Sequence, residues 1–172
     1  ADDHSDSIFE ATPIGYRPPL PSGPGPLFAT PTGAMIDRRG DVDAFSINVE
    51  AGQIRAFICL PSPELRECHV TLYDATGTEL STASGRSEAW LGYEFEQAGT
   101  YIYAVSGPSS STGAYTWRLE NLGVDDHGDV PAAATPLPAI GAVGAPGSTA
   151  PSVIQQEARF ELPNDRDVLA LS

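Results

Sequence analysis

The chain has no lysine. All nine of its basic residues are arginine, against 23 acidic ones, for a net charge of −14 over 172 residues. Such a surface argues against nucleic acid and anionic membranes, whose phosphates call for basic partners. It fits divalent cations or plain solubility. No apolar run approaches the ~20 residues that cross a bilayer, so membrane insertion is not expected, and no signal-type apolar core is present. The only methionine is Met35. A start at Ala1-Asp2-Asp3 therefore fits a processed mature protein or a fragment. Secretory processing would place it outside the cytoplasm: secreted, extracellular, on a cell surface or in a periplasm.

Residues for catalysis are also scarce. There are three histidines, His4, His69 and His127. No Gly-x-Ser-x-Gly, His-Glu-x-x-His or phosphate-loop pattern accompanies them. His69 falls inside a strand-like run, where a surface role is expected. The sequence offers no catalytic set, and the chain is read as a non-enzyme.

Cys59 and Cys68 are the only cysteines. They flank a short segment between two strand-like runs, where cysteines opposed on paired strands reach disulfide geometry. In an oxidising compartment the expectation is a Cys59–Cys68 disulfide; the alternative is two reduced core cysteines. Without further ligands they do not complete a zinc shell.

What the sequence does have is an internal repeat. Asp2-Asp3-His4-Ser5-Asp6 recurs as Asp125-Asp126-His127-Gly128-Asp129. Ala11-Thr12-Pro13 recurs as Ala134-Thr135-Pro136. Pro/Gly-rich stretches follow at 15–33 and 138–151. Both lead through a strand-like segment to Asp-x-Asp: Asp41-Val42-Asp43, then Asp165-Arg166-Asp167. The organisation read from this is an acidic segment and connector over 1–33, a β-sandwich over 34–123, and an incomplete second repeat (linker plus two strands) over 124–172.

Between the connectors, short runs rich in β-branched and aromatic residues alternate with turn signals. Strands are expected near 34–38, 43–49, 53–60, 66–73, 87–95, 99–106 and 113–120. Phe45, Ile47 and Val49 alternate with Ser46 and Asn48, the period of a half-buried strand. Ala51-Gly52, Asp74-Ala75-Thr76-Gly77 and Gln97-Ala98-Gly99 punctuate the runs. No window shows a helical face. The fold class is all-β: an antiparallel, jelly-roll-like sandwich of 7–8 strands with Pro/Gly-rich linkers. Proline denies a sheet its donors, so 15–33 is read as a connector.

The aspartate clusters admit two readings. Asp2, Asp3 and Asp6 precede the connector, and Asp41 and Asp43 open a strand. Calcium takes six to eight oxygens, several of them carboxylate, from flexible segments. If the N-terminal segment folds back beside the strand start, a cation would turn carboxylate repulsion into a clamp. Otherwise the aspartates are turn and capping residues.

These motifs, with Gly40-Asp41-Val42-Asp43-Ala44-Phe45, Gly99-Thr100-Tyr101-Ile102-Tyr103-Ala104-Val105 and Gly113-Ala114-Tyr115-Thr116-Trp117, resemble the bacterial pre-peptidase C-terminal domain family. That family includes the collagen-binding domains of secreted collagenases. The resemblance covers 1–122, with a second opening in 124–172. It implies a non-catalytic sandwich in which Ca2+ joins the N-terminal linker to the Gly-Asp-x-Asp strand start. Carried over by position, Asp2, Asp6, Asp41 and Asp43 would be ligands, with Asp3 as a spare. Asp125, Asp129, Asp165 and Asp167 would serve the second copy. The Pro-rich stretch at 15–33, and Asp-Asp-His where collagenase relatives carry Glu and Asn, depart from the family pattern.

The expected function is a calcium-stabilised extracellular structural or assembly module. It would associate in tandem, or by strand addition through its second repeat, with a protein partner or with itself. The alternative is a substrate-targeting domain of a secreted hydrolase, with strand aromatics such as Trp90 and Tyr93 meeting a polysaccharide or protein fibre.

Overall fold

The alternation along Phe45, Ile47 and Val49 becomes a strand whose odd residues are buried and whose Ser46 and Asn48 face outward. The computed structural model describes residues 4–14, 25–26, 32–124, 135–136 and 169–170. The chain divides into two units, Ala1–Val124 and Asp125–Ser172. In the first, a 3-10 turn (Ile8–Glu10) precedes ten strands. They are β1 (Thr12–Pro13), β2 (Gly25–Pro26), β3 (Thr32–Ile36), β4 (Val42–Val49), β5 (Gln53–Pro61), β6 (Cys68–Asp74), β7 (Glu79–Gly85), β8 (Ala89–Phe95), β9 (Gly99–Ser106) and β10 (Gly113–Val124).

Eight of these have five or more residues and form two facing sheets. One runs β1-β4-β9-β6-β7; the other runs β2-β10-β5-β8, with β3 also on β10. All described pairings of this unit are antiparallel except that of β1 on β4. Only β6–β7 joins consecutive neighbours of one sheet by a tight turn. There Thr76 and Thr78 donate backbone N–H groups to Asp74 Oδ1, and Gly77 takes φ +87°. Other chain-order steps among the long strands cross between sheets, the wiring of a jelly-roll-like sandwich.

The sequence reading places seven of the eight long strands within a few residues and misses β7. Its Leu80-Ser81-Thr82-Ala83-Ser84-Gly85 run has little β-branched or aromatic content. It forms because it edges the sheet and packs Leu80 and Ala83 partly against the core. A smaller correction concerns the connector: Gly25 and Pro26 pair with Asn121 and Glu120 of β10.

The core is an aromatic stack between the sheets. Phe57 lies 4.8 Å from Tyr103 and 5.4 Å from Trp117, and Trp117 lies 4.8 Å from Phe45, centroid to centroid. Each is buried, worth roughly 1.5–3 kcal/mol per large apolar side chain. The Cys59–Cys68 disulfide is formed and fully buried. Its placement corrects the sequence reading. Cys59 pairs with Trp117 and Ala89 in one sheet, whereas Cys68 lies opposite Gly85 in the other. The bridge fastens sheet to sheet and does not link paired neighbours.

In the second unit, β11 (Thr135–Pro136) and β12 (Leu169–Ala170) pair in parallel, Thr135 opposite Leu169 and Pro136 opposite Ala170. In the first unit, Thr12 lies opposite Phe45 and Pro13 opposite Ser46, also in parallel. Thr12 and Thr135, and Phe45 and Leu169, are corresponding positions of the two sequence copies.

Candidate functional site

The N-terminal segment folds back along the open edge of β4. Ala44 N–H donates to the Ser5 carbonyl (3.0 Å) and Ile14 N–H to the Ser46 carbonyl (2.8 Å). His4 sets its ring edgewise on Phe45 at 4.5 Å and meets Thr12 Oγ1 through Nδ1 at 3.2 Å. His4 thus acts through its ring, holding the segment to the strand. Ser7 caps the 3-10 turn by accepting from Phe9 N–H.

This path carries Asp6 to the head of β4. Its Oδ1 accepts from Val42 N–H at 3.3 Å, and its Oδ2 accepts from the Arg38 guanidinium. Arg38 stands on the turn before β4, where Gly40 takes φ +77°, a conformation glycine adopts without penalty. The turn closes as Asp41 N–H donates to the Arg38 carbonyl (3.2 Å) and Asp41 Oδ2 accepts from Asp37 N–H (2.6 Å). Asp41 Oδ1 lies 3.8 Å from the same guanidinium.

Asp6 and Asp41 therefore flank one cation, with Asp6 open to water and the Asp41 side chain fully covered. The Val42 N–H bond is the largest cause holding the Asp6 carboxyl below its ordinary range; a hydrogen bond with Asp41 and the Arg38 charge add to it, against partial desolvation. Asp43, fully buried, accepts from the Tyr115 phenol at 2.6 Å.

Of the carboxylates proposed from sequence, the structure brings Asp6 and Asp41 together and turns Asp43 inward onto Tyr115. Asp2, Asp3, Asp125, Asp129, Asp165 and Asp167 lie outside the described residues. Among those described, no group of three or more His, Cys, Asp or Glu is arranged to hold a metal ion. The two carboxylates are oxygen donors, the chemistry a hard cation takes, and they flank the positive charge of the exposed Arg38 side chain. Sequence reasoning missed Arg38 and Tyr115. An arginine three residues before Asp41, next to a Gly-containing turn, was the available signal for the first. Nothing local signalled the second.

The remaining candidates lie elsewhere. His69, on the outer face of β6, has Ser84 and Ser106 as cross-strand neighbours and its ring 3.6 Å from Glu67. Tyr103, Tyr115 and Trp117 are core residues, Tyr93 and Tyr101 pack partly against the core, and Trp90 is half-buried. On the other sheet, Met35, Leu60, Pro61, Ala114 and Thr116 line an open, mostly apolar cleft of about 570 Å³. No described helix is long and apolar enough to cross a membrane.

No protein-family model and no curated protein matches the chain. Solved structures do. The pre-peptidase C-terminal domain of collagenase from Bacillus anthracis is 15% identical, with a TM-score of 0.48, covering 64% of this chain and 94% of that one. It represents the family that the sequence motifs resemble. PliG of Aeromonas hydrophila, a periplasmic inhibitor of g-type lysozyme, is 9% identical, with a TM-score of 0.48, covering 64% of this chain and 95% of that one. A cycloisomaltooligosaccharide glucanotransferase of Paenibacillus matches at 19% identity and a TM-score of 0.33, over 74% of this chain and 17% of its own length.

Proposed function

We propose that this is a non-catalytic, extracellular structural module whose N-terminal segment is clamped to the sandwich through Asp6 and Asp41, with Ca2+ as the cation that completes the clamp. The observation that carries this reading is the meeting of Asp6 with Asp41 around a single positive charge at the head of β4. Two ionised carboxylates on one guanidinium repel each other unless a cation or a shared proton lies between them. Arg38 supplies one such charge. Its side chain is 56% exposed and long enough to turn to solvent, leaving the oxygens to a divalent ion. Asp2 and Asp3 would add further oxygens from the same segment.

Calorimetric titration of the full chain with CaCl2 tests this against Arg38→Gln and Asp6→Asn/Asp41→Asn variants. Binding to the wild type, tightened in Arg38→Gln and weakened in the double variant, is the expected result. Absence of heat in wild type and Arg38→Gln alike would leave Arg38 as the only cation of the clamp.

The module is used repeatedly in this reading. The shared parallel register of Thr12 on Phe45 and Thr135 on Leu169 supports residues 125–172 as the opening of a second copy, suited to tandem use or assembly. A second reading, attachment of a secreted hydrolase to an extracellular polymer, is favoured by the cleft around Leu60 and Met35. Glycan and collagen arrays probed with wild type and Leu60→Arg would support it by a signal the variant loses.

A further inference from the structure

We infer that β7 is a self-pairing edge, through which two copies of this chain join their β1-β4-β9-β6-β7 sheets into one continuous sheet. Among the described residues, β7 pairs only with β6 and ends its sheet. An edge strand offers a row of backbone donors and acceptors to another strand, and proteins usually guard it with charge, proline or a bulge. From Leu80 to Gly85, β7 has no charge and no proline. Its register irregularity is confined to the Glu79–Leu80 end, and Ser81 to Gly85 pair regularly with β6.

The choice of occupant follows from charge. A two-fold axis through Thr82 sets identical strands antiparallel, with Thr82 opposite Thr82 and Ser81 opposite Ala83 of the second copy; Leu80 is the extra residue of the irregularity, so Glu79 falls opposite Ser84. Glu79 then shares a face with Ser84 and lies diagonally across from Arg86 of that copy, and the symmetry makes the approach twice. Arg86 is 88% exposed, and among the described residues its one close carboxylate, that of Glu67, is 3.8 Å away. Opposite charges at the two ends thus make this edge complementary to itself, in a chain of net charge −14 whose copies otherwise repel. The edge of the other sheet shows the contrast. Self-pairing of β8 about Gly92 would bring Glu88 against Glu96, like charge on like. The edge of β4 is covered by the N-terminal segment.

This inference rests on the assembly part of the proposed function but not on calcium, so it is tested in EDTA. Sedimentation equilibrium of the full chain is expected to show a reversible dimer. Glu79→Arg and Arg86→Glu should each weaken it by at least about threefold, since each turns two attractive contacts repulsive, and the double reversal should restore it. Thr82→Lys, a charge in the middle of the edge, should abolish it. Unchanged melting temperatures would exclude misfolding as the cause. A strictly monomeric wild type overturns the proposal, as does a double reversal that fails to rescue. A dimer indifferent to all four variants also overturns it, while leaving assembly through the second unit standing.

Discussion

Tyr115, on β10, donates its phenolic proton to Asp43, on β4 of the facing sheet, at 2.6 Å and 72 residues away in sequence. Both side chains are buried, so the bond ties the two sheets at the same strand start where Asp41 meets Asp6. Tyr115→Phe keeps the ring and removes the donor from a buried carboxylate. The expected cost is about 2 kcal/mol, read as a lower urea midpoint with an unchanged slope. A loss under a few tenths would mean that the bond contributes little to holding the sheets.

The inter-sheet disulfide closes a short loop, with a sequence separation of 9. On the chain-entropy model this stabilises the fold by roughly 2–3 kcal/mol. A Cys59→Ala/Cys68→Ala variant should lose about that much while keeping the wild-type β-sheet circular dichroism. Equal stability of wild type with and without reductant would contradict it.

Acid should loosen the N-terminal segment. The folded carboxyls of Asp6, held chiefly by Val42 N–H, and Asp74, held chiefly by the Thr76 hydroxyl, lie below the ordinary 3.8, and that of Glu64, bonded by Ser62, lies below 4.5. A lowered folded value means that the unfolded chain binds protons first. The stability these groups contribute is therefore complete above the unfolded values and drains away as pH falls through the folded ones. Denaturation curves from pH 5 downward should show this decline, with a shallower slope in Asp6→Asn. An identical slope in that variant would remove Asp6 from the account.

Gly85 ends β7 where the chain crosses to the other sheet. A Cβ there would fall 1.8 Å from the Glu88 carbonyl oxygen, a backbone atom that cannot turn aside. Gly85→Ala should destabilise the fold by at least about 1 kcal/mol, whereas Gly33→Ala, with open space around it, should be close to neutral. A thermal melt of each variant separates the two.

Much of this fold is written locally. The alternation at Phe45–Val49 and the Asp74–Gly77 turn fix strands and a hairpin without knowledge of the rest, because a half-buried strand needs only a period of two. β7 is not legible that way, since its side chains bury little and its backbone pairing with β6 defines it. The disulfide partners were legible, but their placement on facing sheets depends on long-range topology. At the candidate site, the sequence names the return of Asp6 to the head of β4 only as a condition, because it depends on the long-range pairing of Ser5 and Ile14 along β4. The inward turn of Asp43 needed Tyr115, a partner that no local pattern announces.

The central claim is that carboxylates from two distant segments share a cation and so hold the N-terminal segment to the sandwich. Its most direct test is a thermal melt in calcium and in EDTA, on wild type and on Asp6→Asn/Asp41→Asn. A hundredfold excess of ligand over Kd stabilises the folded state by about 2.7 kcal/mol. The account predicts a rise of several degrees in the wild type that the double variant loses. Identical wild-type melts in calcium and EDTA would contradict calcium as that cation.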